Sequence, residues 1–363
     1  MKLGLYIGTH SDPVSNIAPV LNGWSDILKN TSIEVELYGG ASVPKSLESK
    51  YNYIKQERRS DQLPHKIIRG YQYTRDYIRD HKPDAVMQVW KYATHAPGVA
   101  LAGRRCGVPA IGRFTGDTFN EYRGISYPKR IGIFGLNNVS ARFPLHLFDK
   151  IIALGPYGES QIIKRGVSKT DVVILPPPKP SDNRFNSQYS TSEYRDKLNL
   201  PHHKKIFLYV GRMSYHKGLA FLCEAINELS SLDQYMFLLV GTGPYESVIN
   251  REFDNNHVRA LGRVPYEEID QYYKAADCYL HPSEYEGIPL VILEALACGT
   301  PILARSAGDI PFVTSNIIHS PNELASAIAN ENYTNTWKNK KLFEKPEQRR
   351  RLTKMITNTA DKY

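Results

Sequence analysis

The run Glu286-Gly287-Ile288-Pro289-Leu290-Val291-Ile292-Leu293-Glu294 sets two carboxylates eight positions apart around a Gly-x-Pro turn. Ahead of it, Cys278-Tyr279-Leu280-His281 reads as a short strand and Pro282-Ser283-Glu284-Tyr285 as the loop leaving that strand. Pro289 suits the first turn of a helix, because its φ is fixed and its missing N–H is not needed there. The helix is therefore expected to begin at Pro289; its interior, Leu290 to Ala297, is apolar except for Glu294, and Gly299 with Pro301 ends it. Burying a carboxylate on such a face costs roughly several kcal/mol unless partners satisfy it. Glu294 therefore calls for a protein donor or a polyhydroxylated ligand. Taken alone, the pattern equally suits a Glu286 placed for the helix dipole and a Glu294 paired inside the protein.

Upstream, Ile206-Phe207-Leu208-Tyr209-Val210 is a continuous apolar strand running into Gly211-Arg212-Met213-Ser214-Tyr215-His216-Lys217-Gly218, and Leu219 to Leu229 has helical periodicity. A strand, a glycine turn and a helix start carrying two cations suit a diphosphate, through backbone N–H groups and the Arg212 and Lys217 side chains. Solvated surface cations are the plain alternative.

Further motifs follow in order: Leu239-Val240-Gly241-Thr242-Gly243-Pro244, Leu261-Gly262-Arg263-Val264, Ala276-Asp277, Pro282-Ser283, the double-glutamate segment, Ala297-Cys298-Gly299-Thr300-Pro301 and Gly308. From Val210 to Gly308 the order and spacing resemble the retaining GT-B glycosyltransferases of family 4. Proline at 289, where many members have a second glycine, is a common variant there. The N-terminal half resembles the family only in strand order and in Asp149 to Leu154 followed by a helix and Gly166-Val167. The resemblance implies an α/β fold of GT-B type, with two Rossmann-like parallel sheets facing a cleft and a last helix crossing back to the first domain. It also implies a nucleotide-sugar co-substrate, UDP- or GDP-linked, and no further cofactor.

Five strands are expected in the first sheet: Leu3 to Ile7, Ile33 to Tyr38, Ala85 to Val89, Pro109 to Phe114 and Ile151 to Leu154. Pro176-Pro177-Pro178-Lys179-Pro180-Ser181-Asp182-Asn183 is hostile to helix and reads as the interdomain linker. Ile206 to Val210, Met236 to Val240, Val258 to Leu261, Cys278 to His281 and Pro301 to Ala304 are the expected second sheet, and Asn332 to Tyr363 reads as helical and basic. The expected domains are 1–180 on the acceptor side, 181–345 for the nucleotide sugar, and 346–363 as the returning helix.

The chain has 363 residues, 41% hydrophobic, with no apolar run near the length of about 20 that spans a bilayer. Leu3 to Ile7 reads as a strand rather than the core of a secretory signal. Four widely spaced cysteines, Cys106, Cys223, Cys278 and Cys298, read as buried thiols in a reducing compartment, which points to the cytoplasm. Residues 1–180 hold 25 Lys and Arg against 15 Asp and Glu, 181–336 hold 12 against 19, and 337–363 hold 9 against 3. Such asymmetry suggests that the first half meets something anionic, with a membrane surface or lipid phosphate favoured over nucleic acid. The aromatic and charged stretch Tyr51 to Tyr77 reads as an amphipathic surface. Pro128-Lys129-Arg130 followed by Ile131 to Leu136 and Arg142-Phe143-Pro144-Leu145 reads either as a docking surface or as an ordinary buried connector.

The resemblance assigns roles. Arg212 and Lys217 bind the donor diphosphate, Glu294 the ribose hydroxyls, and Glu286 the transferred sugar. Gly287 and the N–H groups of Ile288 and Leu290 approach the phosphates, Arg263 and Val264 lie near the base, and Gly241 and Gly8 are further donor-binding residues. In the first domain Gly8 ends a strand, but Thr9-His10 replaces the usual second glycine, and Thr115-Gly116-Asp117 stands where many members have a histidine. His10 and Asp117 are the candidate substitutes, and His95, in a helix-like stretch, reads as a surface or capping residue. No Asp-x-Asp triplet and no metal-ligand spacing occur, so metal-independent transfer is expected. Three functions fit: a sugar transferase extending a glycan, glycolipid or lipid-linked acceptor, a GT-B sugar-nucleotide epimerase, and a non-catalytic nucleotide-sugar-binding or basic docking protein.

Overall fold

The structure is a computed structural model that describes residues 1–10, 12, 14, 17–56, 63–125, 127–180 and 183–361. Two compact units emerge, Met1–Pro178 with Lys341–Tyr363, and Lys179–Lys340. Ser181 and Asp182 of the proline-rich stretch lie outside the described residues.

Seven parallel strands build the first unit: β1 (Lys2–Tyr6), β2 (Glu34–Gly39), β3 (Asn52–Lys55), β4 (Ala85–Gln88), β5 (Ala110–Phe114), β6 (Lys150–Ala153) and β7 (Val172–Ile174), ordered β3-β2-β1-β4-β5-β6-β7. The second unit holds six: β8 (Lys205–Val210), β9 (Tyr235–Val240), β10 (Val258–Gly262), β11 (Cys278–His281), β12 (Ile302–Arg305) and β13 (Ile317–Ile318), ordered β10-β9-β8-β11-β12-β13. Runs such as Tyr235–Val240, buried at every position, are what a parallel sheet covered on both faces demands. In each sheet the order reverses once, between β1 and β4 in the first and between β8 and β11 in the second. Loops leaving the carboxyl ends of those strands flank the crevice where open α/β sheets bind ligands.

The last helix, Lys345–Ala360, belongs to the first unit. It buries Leu352, Met355 and Ile356, and Arg349 Nε donates to the Ile27 carbonyl at 2.7 Å. The expectation of helix from Asn332 onward fails over 332–339. There Thr334 bridges Ile302 antiparallel, and the Asn335 amide donates to the Thr300 carbonyl at 3.0 Å, so the segment is spent extending the second sheet's edge.

Two other expectations are corrected. In the stretch Tyr51 to Tyr77, of which residues 57–62 lie outside the described set, Tyr51, Tyr73 and Tyr77 are core residues. Tyr77 donates to Glu36 at 2.8 Å and stacks on Tyr38, so these rings serve packing. Cys106, at the end of the helix Tyr92–Cys106, is exposed, whereas the other three cysteines are buried.

Candidate functional site

In the second unit the site grows from the switch point. β8 delivers Gly211 and Arg212, and a short turn then carries Lys217 back under the loop that follows β11. Gly218 closes that turn with φ +74°, and a Cβ there would collide with the Pro282 carbonyl, so glycine lets the two loops touch. Lys217 Nζ then lies 2.6 Å from Glu286 Oε1, and His281 Nε2, at the end of β11, lies 3.4 Å from the same oxygen. Burial opposes ionisation of Glu286, but His281 and Lys217 outweigh it and hold the carboxyl at about 2. The His281 ring is fixed from behind by the Tyr279 hydroxyl, 2.9 Å from Nδ1.

The helix Leu290–Cys298 starts one residue later than the sequence suggests: Pro289 is extended, with ψ 132°, and stands at the N-cap rather than in the first turn. Gly299, in the left-handed region, ends the helix. Gly287 and Ile288 are buried just ahead of it, and the Gly287 carbonyl accepts from Asp309 N at 3.2 Å. Leu290, as the first helical residue, has an N–H with no partner inside its helix. Glu294, one turn further in, is buried, and the Tyr273 hydroxyl donates to its Oε2 at 3.0 Å. Burial pushes the Glu294 carboxyl up to about 7, against the lowering effect of Tyr273, Tyr266 and Arg184. The two glutamates are thus shifted in opposite directions, Glu286 held ionised by its partners and Glu294 pushed by burial toward its neutral form. Tyr273 is the protein donor that the sequence alone left open.

Arg212 is exposed and forms no ion pair with a described residue. Lys217 is not a free cation, since Glu286 holds it. His216, between them, is pushed down by burial and by both neighbouring cations. Gly241 N donates to the Gly262 carbonyl at 2.7 Å, while Arg263 is exposed with Nε 3.4 Å from Thr242 Oγ1 and Val264 is half-buried.

The first unit has its own polar centre at its switch point, around a residue that sequence reasoning missed. Asp12 is buried and accepts from Thr9 N at 2.7 Å, Lys91 Nζ at 2.6 Å and Lys66 Nζ at 3.1 Å, with His95 Nε2 at 3.0 Å. Burial would raise Asp12, but His95, Lys91 and Thr9 hold it well below the usual carboxylate range. Gly8 lies against this cluster: a Cβ there would stand 2.6 Å from Asp12 Oδ2 and 2.8 Å from His95 Cε1. His95 is therefore no surface or capping residue. It is fully buried, edge-on to Tyr6 and Trp90, and burial pushes it down toward the neutral form. His10 is half-buried against Gly40. Asp117, beyond β5, accepts from Asn120 Nδ2 at 2.9 Å and from the Tyr157 hydroxyl at 3.0 Å, and burial raises it. The only sequence cue to Asp12 was its place in the loop after β1, since its partners come from two other segments.

Two open parallel sheets of this topology, one in each unit, are the elements of the GT-B architecture, and solved structures similar over the whole chain share them. Residues 190–354 match the family model described as glycosyl transferases group 1. The chain is similar to TuaC of Bacillus subtilis, named as a teichuronic acid biosynthesis glycosyltransferase, at 32% identity over 43% of this chain and 40% of TuaC. HepE of Anabaena, solved in complex with UDP, aligns over 100% of this chain and 99% of its own with a TM-score of 0.69 and 17% identity. A UDP-GlcNAc 2-epimerase from Methanocaldococcus jannaschii aligns over 99% of this chain and 100% of its own with a TM-score of 0.64 and 15% identity. At such identities the two structures speak for the fold. The chain spans less than half the length of the curated relatives it matches.

Proposed function

We propose that the protein is a retaining glycosyltransferase of family 4, a hexosyltransferase type, moving a sugar from a UDP- or GDP-linked donor to a glycan, glycolipid or lipid-linked acceptor. In this reading it works without a divalent metal, at the cytoplasmic face of a membrane, and has no nucleic-acid partner. The observation that carries the reading is the gathering of Arg212, Lys217, Glu286 and Glu294 around one switch point, inside the segment that matches group 1 glycosyltransferases. Arg212 and Lys217 receive the diphosphate, together with the first-turn N–H groups of the Leu290 helix, and supply the charge stabilisation that a metal supplies elsewhere. Lys217 bridges phosphate and Glu286, so the carboxylate that meets the sugar is fixed by the same cation. The acceptor hydroxyl attacks the anomeric carbon, the sugar–phosphate bond breaks, and the departing diphosphate takes the acceptor's proton on the same face. His10 and Asp117 stand as the first-unit candidates to assist that hydroxyl.

Among the described residues no helix is long and apolar enough to cross a membrane. In this reading the chain meets a lipid-linked acceptor by peripheral contact. The likeness in shape to an epimerase keeps sugar-nucleotide epimerisation as the second reading. Incubation with UDP- and GDP-sugars, with and without a lipid extract, separates them. Nucleoside diphosphate release that requires the extract and survives EDTA is expected; epimerised donor without acceptor, or loss with EDTA restored by Mn²⁺, contradicts the proposal.

A pH dependence follows from Glu294. Ribose hydroxyls donate better to the ionised carboxylate, so a bound nucleotide lowers the Glu294 pKa below its free value of about 7 and binding releases a proton. Affinity should therefore rise as pH increases through about 7 and level off above it. Calorimetry in buffers of different ionisation heat reads the proton directly. Proton uptake, or an affinity flat across that range and unchanged by Glu294→Gln, speaks against the ribose role.

A further inference from the structure

We propose that the exposed side chains along residues 122–148 of the first unit, of which Ser126 lies outside the described residues, form a docking surface for an anionic lipid bilayer, a proposal that rests on the lipid-linked acceptor reading and names the surface that would meet it. Eight large hydrophobic side chains are exposed among the described residues, and five of them, Tyr127, Ile131, Phe134, Val139 and Phe143, fall in this one segment. Tyr127 is 78% exposed, Val139 69% and Ile131 62%, so most of each residue's surface faces solvent. The helix Lys129–Gly135 buries no residue at all. The run Lys129–Gly135 is therefore no buried connector, whereas Ala141, Pro144, Leu145 and Phe148 are buried and tie the end of the segment to the core of the first unit.

Charge identifies the occupant. The segment carries Arg123, Lys129, Arg130 and Arg142, and no Asp or Glu occurs from 122 to 148. All four cations are exposed. They are interleaved with the hydrophobes: the Arg130 guanidinium lies 5.6 Å from the Tyr122 ring centre, and Tyr122 meets Phe134 edge-on at 4.9 Å. Apolar anchors ringed by cations and aromatic rings are the arrangement that a headgroup region accepts, with hydrocarbon below and lipid phosphate around. A second copy of the chain would bring the same four cations face to face, which disfavours self-association through this surface.

Co-sedimentation with vesicles of phosphatidylcholine, and of phosphatidylcholine doped with phosphatidylglycerol, tests it on the full chain. Binding should need phosphatidylglycerol and weaken with added salt. Lys129→Glu with Arg130→Glu should lower the partition roughly thirtyfold or more. Ile131→Ser with Phe134→Ser, one turn apart on one helix face, should also release the protein, and because these side chains are exposed the melting temperature should stay as in wild type. No binding to doped vesicles, or wild-type binding by both double variants, overturns the proposal. So does a solution dimer that Ile131→Ser with Phe134→Ser dissociates while vesicle binding is absent. Sedimentation reads no sugar transfer. A protein that binds but does not transfer defeats only the transferase reading, and one that transfers without binding defeats only this surface.

Discussion

Glu286→Gln should lower kcat by about 10²–10³-fold while nucleoside diphosphate affinity does not weaken. The change keeps the side chain's shape and removes its charge, and that charge sits between Lys217 at 2.6 Å and His281 at 3.4 Å. In the proposed reaction this carboxylate holds the transferred sugar, so its contribution appears in the transition state rather than in nucleotide binding. Freeing Lys217 from Glu286 leaves one more cation available to the diphosphate. Steady-state rates set beside calorimetric affinities for the same variant check both halves. Wild-type kcat would place Glu286 outside the reaction, and equal losses in rate and affinity would make it a scaffold for Lys217.

Asp12→Ala should cost about 3 kcal/mol of stability at neutral pH, because it leaves the buried His95 ring and the Thr9 N–H without their partner and takes the counter-charge from the part-buried Lys66 and Lys91. The sign with pH is fixed by the depressed Asp12 pKa. Its contribution is full above the ordinary aspartate value of about 4 and is lost as pH falls through the lower folded value. The gap between wild type and variant should therefore narrow in acid. Urea unfolding at neutral and acid pH measures it. A neutral-pH gap under about 1 kcal/mol, the size of an exposed ion pair, would mean that solvent already satisfies these groups.

What the sequence revealed and what it hid divide on physical lines. Central strands such as Lys205–Val210 and Cys278–His281 are long apolar runs between turn residues, and the sequence placed them to within a residue. The three strands it missed, Asn52–Lys55, Val172–Ile174 and Ile317–Ile318, are all edges. An edge strand pairs on one side only, so it is short and has little need of a continuous apolar run. In the second unit the candidate site is legible because Glu286 and Glu294 share one segment and Arg212 and Lys217 share another. The lysine–glutamate pair and the Tyr273 donor are not, since each joins residues 21 or more apart. In the first unit Asp12, Lys66 and the Lys91–His95 turn come from three separate segments, and only the fold assembles them. His95 shows the limit: a histidine in a helical stretch looks alike in sequence whether its face meets water or a buried aspartate.

Titration of UDP and GDP into the full chain by calorimetry, repeated on Arg212→Ala and Glu294→Gln, tests the donor-site assignment most directly. The account predicts one saturable site per chain for one of the two nucleotides. Arg212→Ala should weaken it by about 1.5–3 kcal/mol through loss of a charge-assisted phosphate contact, and Glu294→Gln should weaken it while abolishing the pH dependence near 7. Binding of neither nucleotide, or binding that both variants leave untouched, would contradict it.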